Sequence, residues 1–283
     1  MAVQTAPPPS TTPAPVRAAQ RLHWPEYLIE GACLGLFMVS ICVFGALFEH
    51  PDSPVRQWIE NSAVRRVPMG LAMGLTAMAL IYSRMGQRSG AHMNPATTLA
   101  FLHLGKIRRV DALGYTLAHL VGGILGVQTA ALVIRQALGH PNVNYLTTVP
   151  GPDGAAWAFA AEAGMSCALM LTVLAVSNRP GIARFTGLCA GLLIAVFIIV
   201  EAPISGMSMN PARTLGSALA AGTWTDLWVY LAAPTLGMVT AAEIYHRVAD
   251  RISVRCAKLH HPTNGACHFN CELVAPAEPA AAA

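Results

Sequence analysis

SGAHMNPATTLA, from Ser89 to Ala100, and SGMSMNPARTLG, from Ser205 to Gly216, are two versions of one sequence, and together they decide the fold. Both contain Asn-Pro-Ala. One follows the second apolar segment of the chain and the other follows the fifth. A single Asn-Pro often does no more than start a turn, so the information lies in the repetition. The chain is predicted to consist of two equivalent units.

The composition indicates that the solvent of this chain is lipid. Hydrophobic residues make up 54% of it and charged residues 11%, whereas about a quarter of a typical soluble domain is charged. A helix needs about 20 mostly apolar residues to cross a bilayer. Six segments meet that test: Leu28 to Leu47, Val67 to Tyr82, Leu113 to Leu138, Ala155 to Val176, Phe185 to Ala202, and Leu227 to Ile244.

Each unit also contains a stretch that is too short to cross. These stretches run from Asn94 to about His103 and from Asn210 to about Ala220. Each has Pro at its first helical position, where Pro is favoured, so each is predicted to be a half-membrane helix. Because three spans per unit is an odd number, the two units must have opposite orientations. The predicted fold is an all-α membrane protein with six transmembrane helices and two re-entrant half-helices, arranged as an inverted repeat.

The distribution of basic residues predicts the orientation. Of the 18 Lys and Arg residues, thirteen fall on the side of the termini and four on the other side. An excess of Lys and Arg marks cytoplasmic loops, so both termini are predicted to be cytoplasmic. This bias accounts for the net charge of +4, and no nucleic-acid partner is expected. The remaining basic residue, Arg213, belongs to neither set.

Between Glu26 and Arg247 the sequence resembles the aquaporin, or major intrinsic protein, family. The resemblance rests on the two Asn-Pro-Ala copies and on patterns in four of the six spans. These patterns are EYLIEGACLGLFMV with Glu30, FAAEAGMSCALMLTV with Glu162, YTLAHLVGGILG from Tyr115 with His119 where the family usually has Gln, and WVYLAAPTLG from Trp228.

The resemblance implies a passive channel for water and small uncharged solutes. The two half-helices would meet near mid-membrane, and their N-termini would place about half a positive charge each at the pore centre, which opposes cations. Each Asn side-chain oxygen can cap its own helix, which would leave the NH₂ group free for a passing oxygen. The expected pore motifs are Asn94, Pro95, Ala96, Asn210, Pro211 and Ala212.

The expected selectivity filter contains Arg213, a charge within the membrane and therefore expected to be functional. Counting back from Asn210 as in the family places Ile198 and Met207 beside it, and the second helix contributes Met73 or Gly74. The stretch EAPISGMSMNPAR resembles plant nodulin-26-like channels, a group associated with glycerol and undissociated metalloid hydroxides such as arsenous acid. Glu201, where that group tends to have Gly, is expected to be a solvated vestibule residue.

The sequence is also compatible with functions other than a channel. Glu30 and Glu162 could couple protons in a secondary transporter, although their equivalent places in the two units favour binding to the backbone of the re-entrant loops. A water-only channel and a non-conducting scaffold also remain open. His92 matches a loop histidine of the family. His92 and His119 are both expected to have structural roles within the membrane. No enzymatic activity is expected.

The resemblance also implies a domain division and an assembly. Residues 1–24 are predicted to be a disordered cytoplasmic tail, and residues 25–248 the channel domain, with repeats at about 25–139 and 154–248. Residues 249–283 form a cytoplasmic tail containing Cys and His. The expected assembly is a homotetramer in the plasma (inner) membrane.

The C-terminal tail carries an unusual density of metal-ligand residues in CAKLHHPTNGACHFNC. Thiolate and imidazole suit zinc, and arsenic(III) is a second candidate, but the spacings fit no standard zinc motif. The alternative is a disordered basic tail whose thiols stay reduced. No other cofactor is expected. The six candidate ligands are Cys256, His260, His261, Cys267, His268 and Cys271.

Overall fold

The computed structural model describes residues 22–248, 253–261 and 267–273. The predicted N-terminal tail lies outside the described residues up to residue 21. In the described ranges the regular structure is helical. The α-helices are α1 (Trp24–Glu49), α2 (Pro54–Trp58), α3 (Ser62–Tyr82), α4 (Arg84–Ser89), α5 (Pro95–His103), α6 (Arg109–Ile134), α7 (Gln136–Gly139), α8 (Ala155–Ser177), α9 (Thr186–Ser205), α10 (Pro211–Ala221) and α11 (Leu227–Val248).

The six predicted spans are confirmed as α1, α3, α6, α8, α9 and α11, each of which is long and apolar enough to cross a membrane. Several predicted boundaries differ by a few residues; the second span, for example, begins at Ser62 rather than Val67. The third span ends at Ile134 rather than Leu138, because Arg135 has a φ of 54° and breaks the helix. The helices α5 and α10 have 9 and 11 residues. At 1.5 Å per residue they reach roughly halfway through a hydrocarbon core of about 30 Å.

The inverted repeat is visible in the packing. In the first unit α1 packs against α6, and in the second unit α8 packs against α11 in the equivalent way. The middle spans α3 and α9 pack against each other and join the units. Each half-helix contacts both units, since α5 and α10 both pack on α6 and on α11. The two half-helices therefore lie between the units.

Close helix crossings depend on glycine at equivalent places. A Cβ atom on Gly122 would lie 2.1 Å from the carbonyl oxygen of Gly31, and one on Gly237 would lie 2.2 Å from that of Ala163. Small residues that let backbones approach are typical of helix packing in membranes. Large apolar side chains such as Leu28, Leu75 and Leu132 remain exposed on the outside of the bundle, as expected for surfaces that face lipid.

Candidate functional site

Glu30 fixes the backbone of the loop that precedes α5. Its side chain is fully buried. Oε1 accepts hydrogen bonds from the Ser89 hydroxyl at 2.6 Å and the His92 backbone N–H at 3.1 Å. Oε2 accepts from the Met93 N–H at 2.7 Å and from His119 Nε2 at 2.8 Å. Each carboxylate oxygen is thus used by the loop or by α6.

Glu162 fixes the loop before α10 in the same way. Its Oε1 accepts from the Ser205 hydroxyl and the Ser208 N–H, both at 2.7 Å. Its Oε2 accepts from the Met209 N–H at 2.6 Å. The two acids therefore have matching partners in the two units, and each satisfies backbone donors that would otherwise be buried without acceptors.

Two tyrosines complete this pattern. The Tyr115 hydroxyl donates to the Ser89 carbonyl at 2.5 Å, and the Tyr230 hydroxyl donates to the Ser205 carbonyl at 2.6 Å. The sequence analysis assigned no hydrogen bond to either residue. An alignment of the two units would have revealed the pair, because α6 and α11 are equivalent helices and each tyrosine lies in the first part of its helix.

The loops have a matching unusual backbone. Ala91 and Met93 have φ values of 57° and 48°, and Met207 and Met209 have values of 54° and 52°. This left-handed region is costly for residues other than glycine and persists where the surroundings impose it. The hydrogen bonds to Glu30 and Glu162 supply that constraint, because their donors lie within or beside these residues.

Asn94 and Asn210 join the N-termini of the two half-helices. The Asn94 side-chain oxygen caps α5 by accepting from Ala96 N–H at 2.9 Å, while its NH₂ donates to the Met209 carbonyl at 2.7 Å. The Asn210 oxygen caps α10, and its NH₂ donates to the Met93 carbonyl at 2.8 Å. The sequence predicted that both hydrogens of each NH₂ group would be free. One of the two hydrogens of each group is in fact taken by the opposite loop, which leaves one for a ligand.

A cavity of about 220 Å³ runs past these asparagines. Apart from a few polar groups, its wall is apolar. Pro95, Ala96, Pro211 and Ala212 are buried in the half-helices behind the wall. The side chains that matter for the argument below are Met69, Asn94, Ile198, Met207, Asn210 and Arg213.

Arg213 brings a buried charge to the cavity. It lies in the first turn of α10 and is 4% exposed. Its Nη1 atom has no hydrogen-bond partner among the described residues. A buried guanidinium without a full set of acceptors is costly, and such a group is available to a polar ligand in the cavity.

A model of the major intrinsic protein family matches residues 28–245. The chain belongs to the major intrinsic protein family. The match covers both repeated units and all the hydrogen-bonded loops described above. Family membership therefore agrees with the resemblance found in the sequence.

Individual relatives in this family give the same assignment. The chain is 34% identical to aquaporin NIP1-1 of Arabidopsis thaliana over 197 residues, which are 67% of this chain and 65% of that protein. It is 38% identical over 177 residues to glycerol uptake facilitator protein-like 6 of Lactiplantibacillus plantarum, covering 62% of this chain and 81% of that protein. The matched part spans a little less than two thirds of the plant relative.

The fold is also that of a solved family structure. The aquaglyceroporin from Plasmodium falciparum superposes with a TM-score of 0.67 and 24% sequence identity, covering 80% of this chain and 96% of that chain. At this identity the comparison shows the fold alone.

The two α3 candidates for the filter, Met73 and Gly74, have different surroundings in the structure. Met73 is fully buried, and a Cβ on Gly74 would lie 2.5 Å from the Gly191 carbonyl oxygen in α9. Neither of these described residues lines the cavity; Gly74 is a helix-packing residue. Four other residues of α3 line it: Arg66, Met69, Ala77 and Ile81.

Glu201 is also not where the sequence analysis expected it. It is 7% exposed rather than solvated. Neither carboxylate oxygen has a hydrogen-bond partner in the described part of the chain. The neighbouring Ser205 hydroxyl donates to Glu162 instead. The cause is that α9 continues to Ser205, so that Glu201 stays inside the bundle.

The described C-terminal residues pack against the face of the bundle that carries the start of α1 and the end of α11, here called the terminal face. Residues 253–261 and 267–273 contain buried side chains at Val254, Cys256 and Leu259. The alternative of a disordered tail is therefore wrong for these two stretches. Lys106 Nζ donates to Glu272 at 2.5 Å, and this hydrogen bond lowers the pKa of Glu272 below its usual value.

The six candidate metal ligands separate into two groups. The ligand atoms of Cys256, His261, Cys267 and Cys271 all lie within 4.8 Å of one another. His260 instead packs edge-on against the Tyr82 ring, with centroids 5.1 Å apart.

His268 is the other residue outside the cluster. Its Nε2 lies 2.8 Å from the Tyr115 hydroxyl. Burial lowers the pKa of His268 to about 4, so its ring is neutral. Because the Tyr115 hydrogen is already donated to Ser89, His268 Nε2–H is the donor to the Tyr115 oxygen. The prediction that His260 and His268 are ligands is not supported, because each has another partner.

Proposed function

We propose that this protein is a passive channel for water and small uncharged solutes. The observation that supports this most strongly is the meeting of two half-helix N-termini at a cavity, where Asn94 and Asn210 cross-link the loops and each keeps one N–H. Aligned peptide dipoles place about half a positive charge at each N-terminus. This field opposes cations, while the amide donors bind the oxygen of a neutral solute.

The wall of the cavity favours solutes with one polar and one apolar side. Ile198, Met207 and Met69 offer no hydrogen bonds, whereas Arg213 offers several donors. A volume of about 220 Å³ equals about seven waters at about 30 Å³ each. Glycerol-like polyols and undissociated metalloid hydroxides such as arsenous acid fit this description. The name of a glycerol uptake facilitator-like relative supports the same class.

An ion-coupled transporter is disfavoured by the hydrogen bonds of its candidate acids. All the carboxylate oxygens of Glu30 and Glu162 accept hydrogen bonds from loop or helix donors. A proton carrier must exchange its proton during transport, and protonation would remove an acceptor from a buried backbone N–H. Both acids are therefore assigned to the structure of the loops.

The proposal includes an orientation and an assembly. By the sequence, thirteen of the 18 Lys and Arg residues fall in segments on the side of the termini, which favours a cytoplasmic position for that side. The proposed location is the plasma (inner) membrane. A homotetramer of independent pores is proposed from family membership alone.

The solute class can be tested with purified protein in liposomes. Shrinkage and swelling would be followed for water, glycerol, urea and arsenous acid in parallel, with empty liposomes as the control. We expect water and glycerol or arsenous acid to cross faster than in empty liposomes. Fast water flux with exclusion of both glycerol and arsenous acid would contradict the proposed solute class and leave a water-only channel.

A further inference from the structure

Four side chains near the terminal face have the spacing of a tetrahedral metal site. Cys256 Sγ and Cys267 Sγ are 3.5 Å apart, and Cys271 Sγ and His261 Nε2 are 3.4 Å apart. With Zn–S bonds of about 2.3 Å, the sulfur atoms of a zinc tetrahedron are about 3.8 Å apart. A disulfide would instead require about 2.05 Å. All four ligand atoms lie within 4.8 Å of one another, so small side-chain shifts would let them bind one metal ion.

The surroundings of the cluster also suit bound thiolates. The backbone N–H of Lys258 donates to Cys256 Sγ at 3.5 Å, and that of Leu273 donates to Cys271 Sγ at 3.4 Å. Such outer hydrogen bonds orient metal ligands. Three thiolates and a neutral imidazole around Zn²⁺ leave one negative charge, and the two N–H donors stabilise that charge.

The cluster joins the two described stretches of the C-terminal segment. Neither described stretch, 253–261 or 267–273, contains a helix or strand. The Glu272 N–H donates to the Arg255 carbonyl at 2.8 Å and links them directly. Ordering an irregular backbone costs entropy for every residue. A metal that binds both stretches would provide the binding free energy that offsets it.

The same segment contacts the loop before α5 and contributes to the cavity wall. His92 Nε2–H donates to the Ala257 carbonyl at 2.8 Å, and the Leu259 N–H donates to the Gly90 carbonyl at 3.1 Å. Both partners belong to the loop that Glu30 holds. Leu259 contributes its side chain to the cavity wall and is 6% exposed. It belongs to the same buried cluster as Ile81.

We propose that Cys256, His261, Cys267 and Cys271 bind one Zn²⁺ ion, which holds the C-terminal segment over the terminal-face end of the cavity and places Leu259 in the permeation path. Binding converts three thiols to thiolates and releases their protons to the solvent. Zinc loading lowers solute flux, and zinc removal raises it. The flux part of this inference rests on the proposed channel function, whereas the metal site does not.

The metal site is tested by the zinc content of purified full-length protein, measured by mass spectrometry of the metal. We expect about one zinc per chain, as in structural sites with four protein ligands. Cys256→Ser and His261→Ala should lose it. His260→Ala and Cys189→Ser are matched controls that should retain it, since His260 packs on Tyr82 and Cys189 lies in α9.

Two results would overturn the site. One is wild-type protein that takes up no zinc when Zn²⁺ is supplied, and the other is equal zinc in wild type and in both ligand variants. A parallel measurement with arsenite tests arsenic(III), the other candidate that binds thiolates. Arsenic(III) needs only three thiolates, so wild-type protein that takes up stoichiometric arsenic but no zinc, when both are supplied, would also contradict the zinc assignment.

The gate is tested by glycerol flux in liposomes with zinc-loaded and chelator-stripped protein. We expect stripping to raise flux severalfold. Leu259→Ala should keep its zinc but show high flux in both states, because it removes the side chain in the path and leaves the ligands intact. Equal flux with and without zinc in a conducting wild-type protein would overturn the gate. Absence of flux in every sample would instead refute the channel proposal, and the zinc content would still decide the site.

Discussion

Glu162→Gln separates a structural acid from a proton carrier. The carboxylate accepts three hydrogen bonds, from the Ser205 hydroxyl and from the N–H groups of Ser208 and Met209. In Gln one oxygen becomes an NH₂ group, so that at least one buried backbone N–H faces a donor. An unsatisfied buried donor costs about 1–3 kcal/mol, and the remaining bonds lose their charge assistance. Removal of the buried charge offsets part of this loss, so we expect the free energy of unfolding to fall by about 1–3 kcal/mol.

The assay is thermal unfolding of purified protein in detergent, followed by tryptophan fluorescence. Glu201→Gln is the matched control, because Glu201 is a buried acid whose carboxylate oxygens have no partner among the described residues. We expect Glu162→Gln to unfold at a lower temperature than wild type and Glu201→Gln to unfold at the same or a higher temperature. Unchanged stability of Glu162→Gln, together with loss of a flux that depends on a proton gradient, would refute the reasoning.

Three further substitutions test other parts of the site and the fold. Arg213→Val removes the buried charge and should raise leakage of urea and of cations in liposomes; an unchanged solute ranking would contradict the filter assignment. Ile198→His adds a polar ring to an apolar wall, so the ratio of water to glycerol permeability should rise, and an equal ratio would count against Ile198 as a filter residue. Gly122→Val places a side chain against the Gly31 carbonyl oxygen, where a Cβ would lie at 2.1 Å. We expect the yield of folded protein to fall well below that of a Gly164→Val control, because a Cβ on Gly164 would meet no atom of another part of the chain within 4 Å. Equal yields would contradict the close crossing.

The repeat could be predicted from the sequence because its determinants are local. Asn-Pro caps a helix and starts it at the next residue, and the apolar spans are long enough to be read directly. For the same reason the half-helices begin where the motifs placed them, at Pro95 and Pro211. The sequence predicted that Glu30 and Glu162 bind the backbone of the re-entrant loops. It did not predict which N–H groups donate to them, because that depends on the left-handed backbone of the loops.

The choice between Met73 and Gly74 could not be made from the sequence. One residue of shift turns a helix by about 100°, so only one of the two, Met73, can share the helix face of Met69 and Ala77 that lines the cavity. The phase of α3 is set by its packing on α9, which buries Gly74. The sequence pattern of α3 alone does not reveal its contact with α9.

The sequence of the C-terminal tail predicted a metal site but not which of its residues would form it. The density of Cys and His predicted a metal site, and the structure brings four of the six candidates together. The choice between neighbouring histidines depends on what each one packs against. His260 lies on Tyr82, while His261 turns toward Cys271. Contacts between residues this far apart in the chain are decided by the tertiary structure.

The most direct test of a passive, proton-excluding channel is glycerol flux and proton leak measured in the same liposomes. Glycerol entry would be followed by light scattering and internal pH by a trapped dye, with and without an imposed proton gradient. We expect glycerol entry to exceed that of empty liposomes and to be the same with and without the gradient, while the proton leak equals that of empty liposomes. Glycerol entry that requires the gradient, or a proton leak that rises with the amount of protein, would contradict the account.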